Sequence, residues 1–254
     1  MPQPTPPEPR EPPETRSPHS ILLDAVTLVR GNQRVFEGLT LSLHEARIGL
    51  VGDNGAGKSS LFRLISGLDQ PQQGRVTVHG CDTQTDRKQL SKHVGLMFQN
   101  PDDQIIFPTV AEELAFSLTA RGETRQAARQ QARDFLAQRG LEAWATRAVG
   151  ELSQGQRQQV CLLALQISQP ATLLLDEPFA SLDLLSQARL ARQLEATDHQ
   201  IVVSTHLLEH IYGFERVLWL EQGKVRADGP GREVCEAYAE NVRERAALER
   251  GRGA

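Results

Sequence analysis

The sequence predicts an α/β fold with a mixed, largely parallel core sheet, an antiparallel β edge and a helical subdomain. Short apolar strands alternate with helical segments through most of the chain, as in parallel sheets joined by crossover helices. Residues 110–167 interrupt this alternation, because their apolar residues recur mostly at helical spacing. We find no internal repeat, and the sequence contains one glycine-rich loop.

In the first part of the chain, branched apolar runs predict strands, and a helix follows the glycine-rich loop. Residues 30–34 separate the first two runs and indicate a hairpin turn. Apolar residues at helical spacing predict the helix over residues 59–68. The predicted strands cover residues 21–29, 35–43, 47–51, 74–79 and 94–98.

In the second part, helices dominate and are separated by two short, mainly apolar strands that are expected to be buried and by a final hairpin. We expect this hairpin and the early strands to form the antiparallel edge of the sheet. The predicted helices cover residues 111–119, 125–139, a run that begins after Ser153, 184–196 and 231–249. The predicted strands cover residues 172–175, 200–204, 216–220 and 224–228.

The composition excludes several classes of protein. The chain has 254 residues, 39% of them hydrophobic and 24% charged, which is typical of a globular protein. Its net charge of −4 provides no overall basic surface for nucleic acid. Apolar runs such as residues 160–165 are much shorter than the roughly 20 residues that cross a bilayer. The three cysteines form no C-x-x-C pair, so we expect neither disulfides nor a zinc site, and a reducing cytoplasm.

The sequence divides into three predicted regions. Residues 1–19 contain eight of the fourteen prolines and few side chains to bury, so we expect a disordered tail. Residues 20–240 are expected to form one ordered domain, with a helical subdomain inserted at about residues 100–165. Residues 241–254 are expected to form a charged C-terminal tail.

A phosphate-binding motif follows the third predicted strand. The run G-D-N-G-A-G-K-S fits the pattern G-x-x-x-x-G-K-[ST] between a strand and a helix. Its glycines let successive N–H groups face phosphate oxygens, and the helix N-terminus adds a favourable dipole. We expect Lys58 to span the β- and γ-phosphates, Ser59 to ligate magnesium and Ser60 to be a lesser contact. The residues of this loop predicted to bind ATP are Gly52, Asp53, Asn54, Gly55, Ala56, Gly57, Lys58, Ser59 and Ser60.

A second motif, T-L-L-L-D-E at residues 172–177, is an apolar strand that ends in two carboxylates. We expect Asp176 at the strand tip to hold Mg²⁺, usually through water. Glu177 is expected to polarise a water for in-line attack on the γ-phosphate. With the upstream phosphate loop, this motif predicts an enzyme that hydrolyses ATP with Mg²⁺.

A third motif carries a family resemblance. The run L-S-Q-G-Q at residues 152–156 resembles the LSGGQ signature of ATP-binding cassette (ABC) ATPases, with Gln154 in place of the first glycine. A serine hydroxyl and a glycine amide at a helix start can bind an anion, although a serine there is also a common N-cap. The resemblance implies that Ser153, Gly155 and Gln156 contact the γ-phosphate of a nucleotide held by the opposite subunit. It covers about residues 21–230.

Further positions match the family in order and spacing. Gln99 resembles the Q-loop glutamine, which senses magnesium and the membrane subunit, and His206 resembles the switch histidine, which contacts the γ-phosphate and the attacking water. Asp183 resembles the D-loop residue that crosses the dimer interface. The resemblance implies that Glu177 and His206 are catalytic. The implied magnesium ligands are Ser59, Gln99 and Asp176.

One position departs from the family pattern. Many members have an aromatic residue after the first strand that stacks on adenine, whereas this sequence has Val29 or Arg30 there. A guanidinium group can stack on a base; alternatively, the stacking contact is absent.

The segment that begins at Gln99 resembles one branch of the family. The run Q-N-P-D-D-Q, followed by P-T-V at residues 108–110, is similar to the energy-coupling factor branch, which imports vitamins and transition-metal ions. Residues 104–116 and 213–220 are most similar to the ATPase of biotin importers, and cobalt or nickel importers, which share the first run, are the alternative.

The branch resemblance implies specific partners and a location. The partners are a second ABC ATPase subunit (the same chain or a paralogue), a transmembrane coupling protein and a small substrate-capturing membrane protein. The location is peripheral, on the cytoplasmic face of the cell membrane. Non-transport ABC ATPases are a more distant alternative, because this sequence has no sustained heptads between the phosphate loop and the signature and has one cassette.

Overall fold

The computed structural model describes residues 20–252, and the tail predicted at residues 1–19 lies outside them. The strands are β1 Ile21–Arg30, β2 Gln33–Leu43, β3 Arg47–Val51, β4 Gln73–Val78, β5 Cys81–Asp82, β6 Val94–Met97, β7 Thr172–Asp176, β8 Gln200–Ser204, β9 Arg216–Glu221 and β10 Lys224–Gly229. The α-helices are α1 Lys58–Ile65, α2 Arg87–His93, α3 Val110–Thr119, α4 Arg125–Ala137, α5 Gln154–Ile167, α6 Leu184–Glu195 and α7 Gly231–Arg252. Short 3₁₀ turns lie at Pro101–Asp103, Glu142–Trp144, Val149–Glu151 and Leu208–His210.

The core sheet has six strands in the order β10-β9-β3-β8-β7-β6. Strands β9, β3, β8, β7 and β6 are parallel to their neighbours, and β10 pairs antiparallel with β9 at one edge. The mixed core sheet and the antiparallel hairpin at its edge are therefore as predicted. Because β3, β7 and β8 run the same way, their carboxyl ends meet at one edge, where ligands of open α/β sheets bind.

The early strands differ from the expectation that they extend this edge. They form a separate antiparallel sheet with the order β2-β1-β4-β5. The physical reason lies in α1, whose side chains Leu61, Phe62, Leu64 and Ile65 are all buried. A helix with this much apolar surface needs cover on the side away from the core sheet, and the second sheet provides it.

Alternate residues of the core strands are buried on opposite faces of the sheet. Leu174 and Val202 pack with α1 and the antiparallel sheet. Their neighbours Leu173 and Val203 pack with the side chains of α6 and α7. Burial on both faces explains why these strands are continuous apolar runs rather than alternating ones.

The helical stretch has its own buried cluster, formed mainly by side chains of α3, α4 and α5. The short elements β5 and α2 were not predicted, because seven residues or fewer carry too little periodicity. The helix predicted over residues 231–249 is α7, which runs from Gly231 to Arg252. Among residues 20–252, no helix combines the length and apolar character needed to cross a bilayer.

Candidate nucleotide site

Strand β3 leads directly into the phosphate loop, residues 52–57, and α1 begins at Lys58. Gly52 has a φ of 144°, and a Cβ there would lie 2.2 Å from the Leu220 carbonyl oxygen. Gly57 has a φ of 110°, and a Cβ there would lie 2.9 Å from the Phe36 ring. The path of the loop therefore depends on glycine at both positions.

The Lys58 side chain is folded back against the loop that precedes it. Its Nζ donates hydrogen bonds to the carbonyl oxygens of Gly52 at 2.6 Å and Asp53 at 3.1 Å. Burial lowers the pKa of Lys58, and the nearby carboxylates of Glu177 and Asp176 oppose this effect. The lysine is thus held beside the loop by backbone carbonyls, which it can exchange for phosphate oxygens.

A pair of oxygen-bearing side chains joins the start of α1 to the end of β7. The Ser59 hydroxyl donates to the Asp176 carboxylate, with Oγ 2.7 Å from Oδ2. Hydroxyl and carboxylate oxygens are the hard ligands that Mg²⁺ prefers, usually beside waters and substrate phosphates. The chemistry of this donor set therefore fits a magnesium ion bound together with a nucleotide.

Glu177 follows β7 in a strained backbone conformation. Its φ is 52°, in the left-handed region that few non-glycine residues adopt. The Glu177 N–H donates to the Ser204 carbonyl oxygen at 2.8 Å, which anchors this turn to the end of β8. Burial raises the pKa of the Glu177 carboxyl, and His206 opposes that rise. Strain of this kind concentrates at functional sites.

The carboxylate of Glu177 faces His206. Its Oε2 accepts a hydrogen bond from the His206 N–H at 3.3 Å, and its Oε1 lies 3.4 Å from the imidazole Nε2. Oε1 is buried and has no hydrogen-bond partner among the described residues. A buried acceptor without a hydrogen bond lowers the stability of a fold, so this atom is available to accept a hydrogen bond from a ligand or water. The His206 side chain is 47% exposed and remains open to the cavity.

One open cavity of about 730 Å³ brings most of the predicted residues together. Of the predicted loop residues, Gly52, Asp53 and Ala56 lie outside its lining. The Asp53 side chain instead contacts α7. The predicted residues that line the cavity are Asn54, Gly55, Gly57, Lys58, Ser59, Ser60, Gln99, Asp176, Glu177 and His206.

Arg30, one of the two residues considered for the adenine-stacking position, also lines this cavity. Its guanidinium group forms an ion pair with Asp69. Asp69 also accepts from Arg63, with an N–O distance of 3.0 Å. The ion pair fixes the guanidinium end of Arg30 at the wall of the cavity.

The signature residues lie in a second cavity, about 690 Å³ in volume, whose lining also includes Asp183. Ser153 and Gln156 form a capping box at the start of α5: Oγ of Ser153 accepts from the Gln156 N–H at 3.2 Å, and Oε1 of Gln156 accepts from the Ser153 N–H at 3.1 Å. Asp183 caps α6 by accepting from the Ser186 N–H at 2.7 Å, and this bond lowers the pKa of Asp183. The structure therefore does not bring the signature residues to the phosphate loop of the same chain.

The sequence matches the family model described as ABC transporter over residues 36–180, more than half of the chain. The chain belongs to the ABC transporter family and is an ABC ATPase. The structure carries the fold predicted from its motifs, and the match confirms the predicted family.

Two individual relatives indicate which kind of ABC ATPase this chain is similar to. It is 48% identical to the biotin transport ATP-binding protein BioM of Rhodobacter capsulatus, over 84% of this chain and 91% of that protein. It is 41% identical to BioM of Rhizobium etli, over 83% of this chain and 93% of that protein. These relatives confirm the predicted similarity to ATPases of biotin importers.

Solved structures share the fold of this ABC ATPase. The structure of cbiO1 from Clostridium perfringens, described as part of the ABC transporter complex cbiONQ, superimposes with a TM-score of 0.73 at 22% identity, over 89% of this chain and 94% of that one. A dimeric post-hydrolysis structure of the ATP-binding cassette MJ0796, bound to ADP and Pi, gives a TM-score of 0.72 at 25% identity, over 83% of this chain and 98% of that one.

Sequence reasoning missed one buried side chain that supports the site of the ABC ATPase. Gln158 is 3% exposed, and its Nε2 donates to the carbonyl oxygens of Glu177 at 3.1 Å and Pro178 at 2.8 Å. It therefore connects helix α5, which begins at the signature, to the strained turn at Glu177. The only signal in the sequence is a polar residue two positions after Gln156 in a helix whose later turns are apolar.

Proposed function

We propose that this ABC ATPase powers an energy-coupling factor-type importer whose substrate is biotin. The observation that carries the proposal is the 48% identity to a biotin transport ATP-binding protein across nearly all of that protein. A cobalt or nickel importer is the alternative. The likeness to cbiO1 carries no argument about substrate, because identity of 22% supports a common fold alone.

ATP binding is assigned to the phosphate loop and the residues around it. In this proposal, Lys58 leaves the carbonyls of Gly52 and Asp53 and takes phosphate oxygens in their place. The N–H groups of the loop and the start of α1 surround the same phosphates. Ser59, Asp176 and Gln99 would hold an Mg²⁺ ion, which would supply neutralising charge for the phosphates.

Hydrolysis is assigned to the buried Glu177 carboxylate. Its Oε1, which has no hydrogen-bond partner among the described residues, accepts a hydrogen bond from water. It takes the proton as the water oxygen bonds to the γ-phosphorus, and so favours in-line attack. The bond from the γ-phosphorus to the bridging oxygen breaks, which leaves ADP and phosphate. His206, on the exposed side of the same carboxylate, orients the water and contacts the γ-phosphate.

A second cassette completes each nucleotide site in this proposal. Ser153, Gly155 and Gln156 of one chain close on the γ-phosphate held by the other, and Asp183 lies at the same interface. The separation of the two cavities within one chain supports this arrangement, because neither cavity contains both half-sites. The partner is a second copy or a paralogue.

Coupling to the membrane is assigned to the loop and helix after Gln99. Ile106 is 72% exposed and Phe116 is 41% exposed, and the Phe107 and Phe116 rings pack 5.1 Å apart. The buried Glu113 carboxylate accepts the N–H groups of Ile106 at 2.9 Å and Phe107 at 2.8 Å. A rigidly held, exposed apolar surface of this kind is suited to a helix of the transmembrane coupling protein.

The substrate assignment is tested with the complex that co-purifies with the tagged chain, reconstituted in vesicles. We expect ATP-dependent accumulation of labelled biotin and none of cobalt or nickel. Lys58→Ala, which removes the ammonium that binds phosphate, should abolish uptake. Cobalt accumulation without biotin accumulation would overturn the biotin assignment and leave the ATPase assignment intact.

The coupling surface is tested in the same vesicles. Phe116→Ser should lower biotin uptake severalfold without changing MgATP affinity, because Phe116 lies outside the nucleotide cavity. Leu22→Ser is the matched control, since Leu22 is equally exposed, at 40%, but lies on β1 of the other sheet. Equal loss of uptake in both variants would contradict a specific coupling surface.

A further inference from the structure

Helix α7 contacts the phosphate loop through a single carboxylate. Asp53 is the residue directly after Gly52, and its Oδ1 accepts from Arg245 Nη2 at 2.9 Å and from the Tyr238 hydroxyl at 3.2 Å. Its Oδ2 accepts from the other terminal nitrogen of Arg245. The guanidinium therefore binds the carboxylate with two parallel bonds, which fixes its direction as well as its distance.

Tyr238 is the more firmly held of the two donors from α7. It is 7% exposed, and its ring packs edge-on against Trp219 of β9, with 5.3 Å between ring centroids. Arg226 covers the Trp219 ring, with its guanidinium carbon 4.2 Å from the ring centroid. The tyrosine hydroxyl is thus a fixed donor on the core of the protein, against which the loop is positioned.

The backbone of Asp53 organises the interior of the loop. Its carbonyl oxygen accepts from Lys58 Nζ at 3.1 Å and from the Ala56 N–H at 3.1 Å. Asp53 therefore connects α7, through its side chain, to the lysine and the turn of the loop, through its carbonyl. When Lys58 moves to a phosphate, the loop loses the lysine bonds, and the side-chain bonds to α7 remain.

We propose that Tyr238 and Arg245 are positioning residues for ATP binding, which hold Asp53 and keep loop 52–57 in its phosphate-receiving conformation after Lys58 is released. The inference rests on the proposed role of Lys58. A loop that is already ordered binds its ligand more tightly, because less conformational entropy is lost on binding. The competing explanation is that the bonds only attach the end of α7 to the body of the protein.

MgATP affinity distinguishes these explanations, measured by calorimetry on the purified full-length chain. We expect Arg245→Gln to raise the Kd for MgATP about threefold to tenfold, because the loop would be less ordered before it binds the nucleotide. Arg245→Lys should fall between the wild type and Arg245→Gln, because lysine keeps the charge but not the fork. Arg243→Gln is the matched control, since Arg243 is exposed on α7 and forms no ion pair within the described residues.

Two further measurements separate positioning from simple attachment. Amide hydrogen exchange in residues 52–58 should become faster in nucleotide-free Arg245→Gln and remain unchanged in Arg243→Gln. In the transport complex, Arg245→Gln should raise the KM for ATP more than it lowers kcat. The double variant Asp53→Asn, Arg245→Gln should bind MgATP no more weakly than the weaker single variant, because both remove one contact.

Each outcome has a defined consequence. A lower melting temperature for Arg245→Gln, with unchanged Kd and unchanged exchange of the loop amides, would overturn the positioning role and leave simple attachment of α7. Independent, multiplicative effects of Asp53→Asn and Arg245→Gln would also overturn it. If the wild-type chain itself does not bind MgATP, the proposed function fails, and the exchange measurement alone still decides whether α7 orders the loop.

Discussion

The phosphate-loop cavity and the signature cavity differ in how their polar groups are engaged. In the first, side chains from the ends of β3, β7 and β8 converge, and the Glu177 Oε1 has no hydrogen-bond partner among the described residues. In the second, Ser153 and Gln156 satisfy each other in a capping box, and Asp183 caps its own helix. In the first cavity the predicted general base has an acceptor atom without a hydrogen-bond partner, whereas Ser153, Gln156 and Asp183 in the second already form local hydrogen bonds.

In the proposed nucleotide site, this difference distinguishes a half with an acceptor available to a ligand from a half whose residues also have a structural role. In the first cavity, the Glu177 Oε1 has no hydrogen-bond partner among the described residues and is available to a ligand or water. The signature residues also stabilise the start of α5, so they keep their geometry while no nucleotide is present. A preformed signature supports the proposal that it meets a nucleotide carried by another chain.

The strongest test of the first cavity is Glu177→Gln, which keeps the shape of the side chain and removes its basicity. We expect ATP hydrolysis to fall about a hundredfold or more, because general-base catalysis contributes factors of this size. MgATP affinity should be retained, and the chain should accumulate as an ATP-bound dimer. Hydrolysis and dimerisation are measured by phosphate release and light scattering.

Glu240→Gln is the matched control for this variant, since Glu240 is an exposed glutamate on α7. It should hydrolyse ATP at the wild-type rate. Near-normal turnover in Glu177→Gln would show that another group activates the water, and the assignment of Glu177 would be wrong.

Much of the first cavity could be predicted from sequence because its residues occupy fixed steps along the chain. The run from Gly52 to Ser59 sets backbone direction and ligand type together, and the acids end an apolar strand. The contacts of Asp53 with α7 could not be predicted in this way. Tyr238 and Arg245 lie far from the loop in sequence, and their positions depend on how α7 packs on β9.

Like the motifs of the first cavity, the long elements of the fold could be predicted because they depend on local sequence patterns. Apolar runs and helical periodicity located the long strands and helices correctly. The division into two sheets was not predictable, because the choice of neighbour for β1 depends on the burial of α1 rather than on any local pattern. Gln158 was missed because a buried polar side chain has the same sequence signal as an exposed one.

Ser153→Ala tests whether Ser153 both caps α5 and contributes to hydrolysis in the assembled complex. We expect a loss of about 1 kcal/mol of stability from the missing N-cap. Hydrolysis in the assembled complex should fall roughly tenfold, because the hydroxyl bond to a charged phosphate is also lost. MgATP affinity of the isolated chain should not change, since Ser153 lies outside the cavity of its own phosphate loop.

Thr124→Ala is the matched control for Ser153→Ala, because it also removes the N-cap of a helix. Thr124 accepts the Ala127 N–H at 3.3 Å at the start of α4 and is remote from both nucleotide half-sites in sequence. It should lower the melting temperature by a similar amount and leave hydrolysis unchanged. If Thr124→Ala reduces hydrolysis as much as Ser153→Ala does, the effect at Ser153 arises from stability alone.

The smallest expected effect is a shift in the pH dependence of kcat/KM, which reports on the enzyme before nucleotide binds. Burial raises the pKa of Glu177 above its usual value of 4.5, although His206 reduces the shift. The carboxylate must be ionised to accept a proton, so activity is present above the raised pKa and falls as the pH decreases through it. The acid limb should therefore lie at higher pH than the titration of an exposed glutamate.

MgATP affinity, measured over the same range, provides the control, because the Glu177 proton affects the chemical step far more than phosphate binding. Arg245 lowers the pKa of Asp53, so Asp53 stays ionised across this range and adds no limb of its own. An acid limb at or below the usual glutamate value would show that Glu177 is more hydrated in solution than in this structure. The contrast between the available acceptor of Glu177 and the locally bonded signature residues would then be weaker.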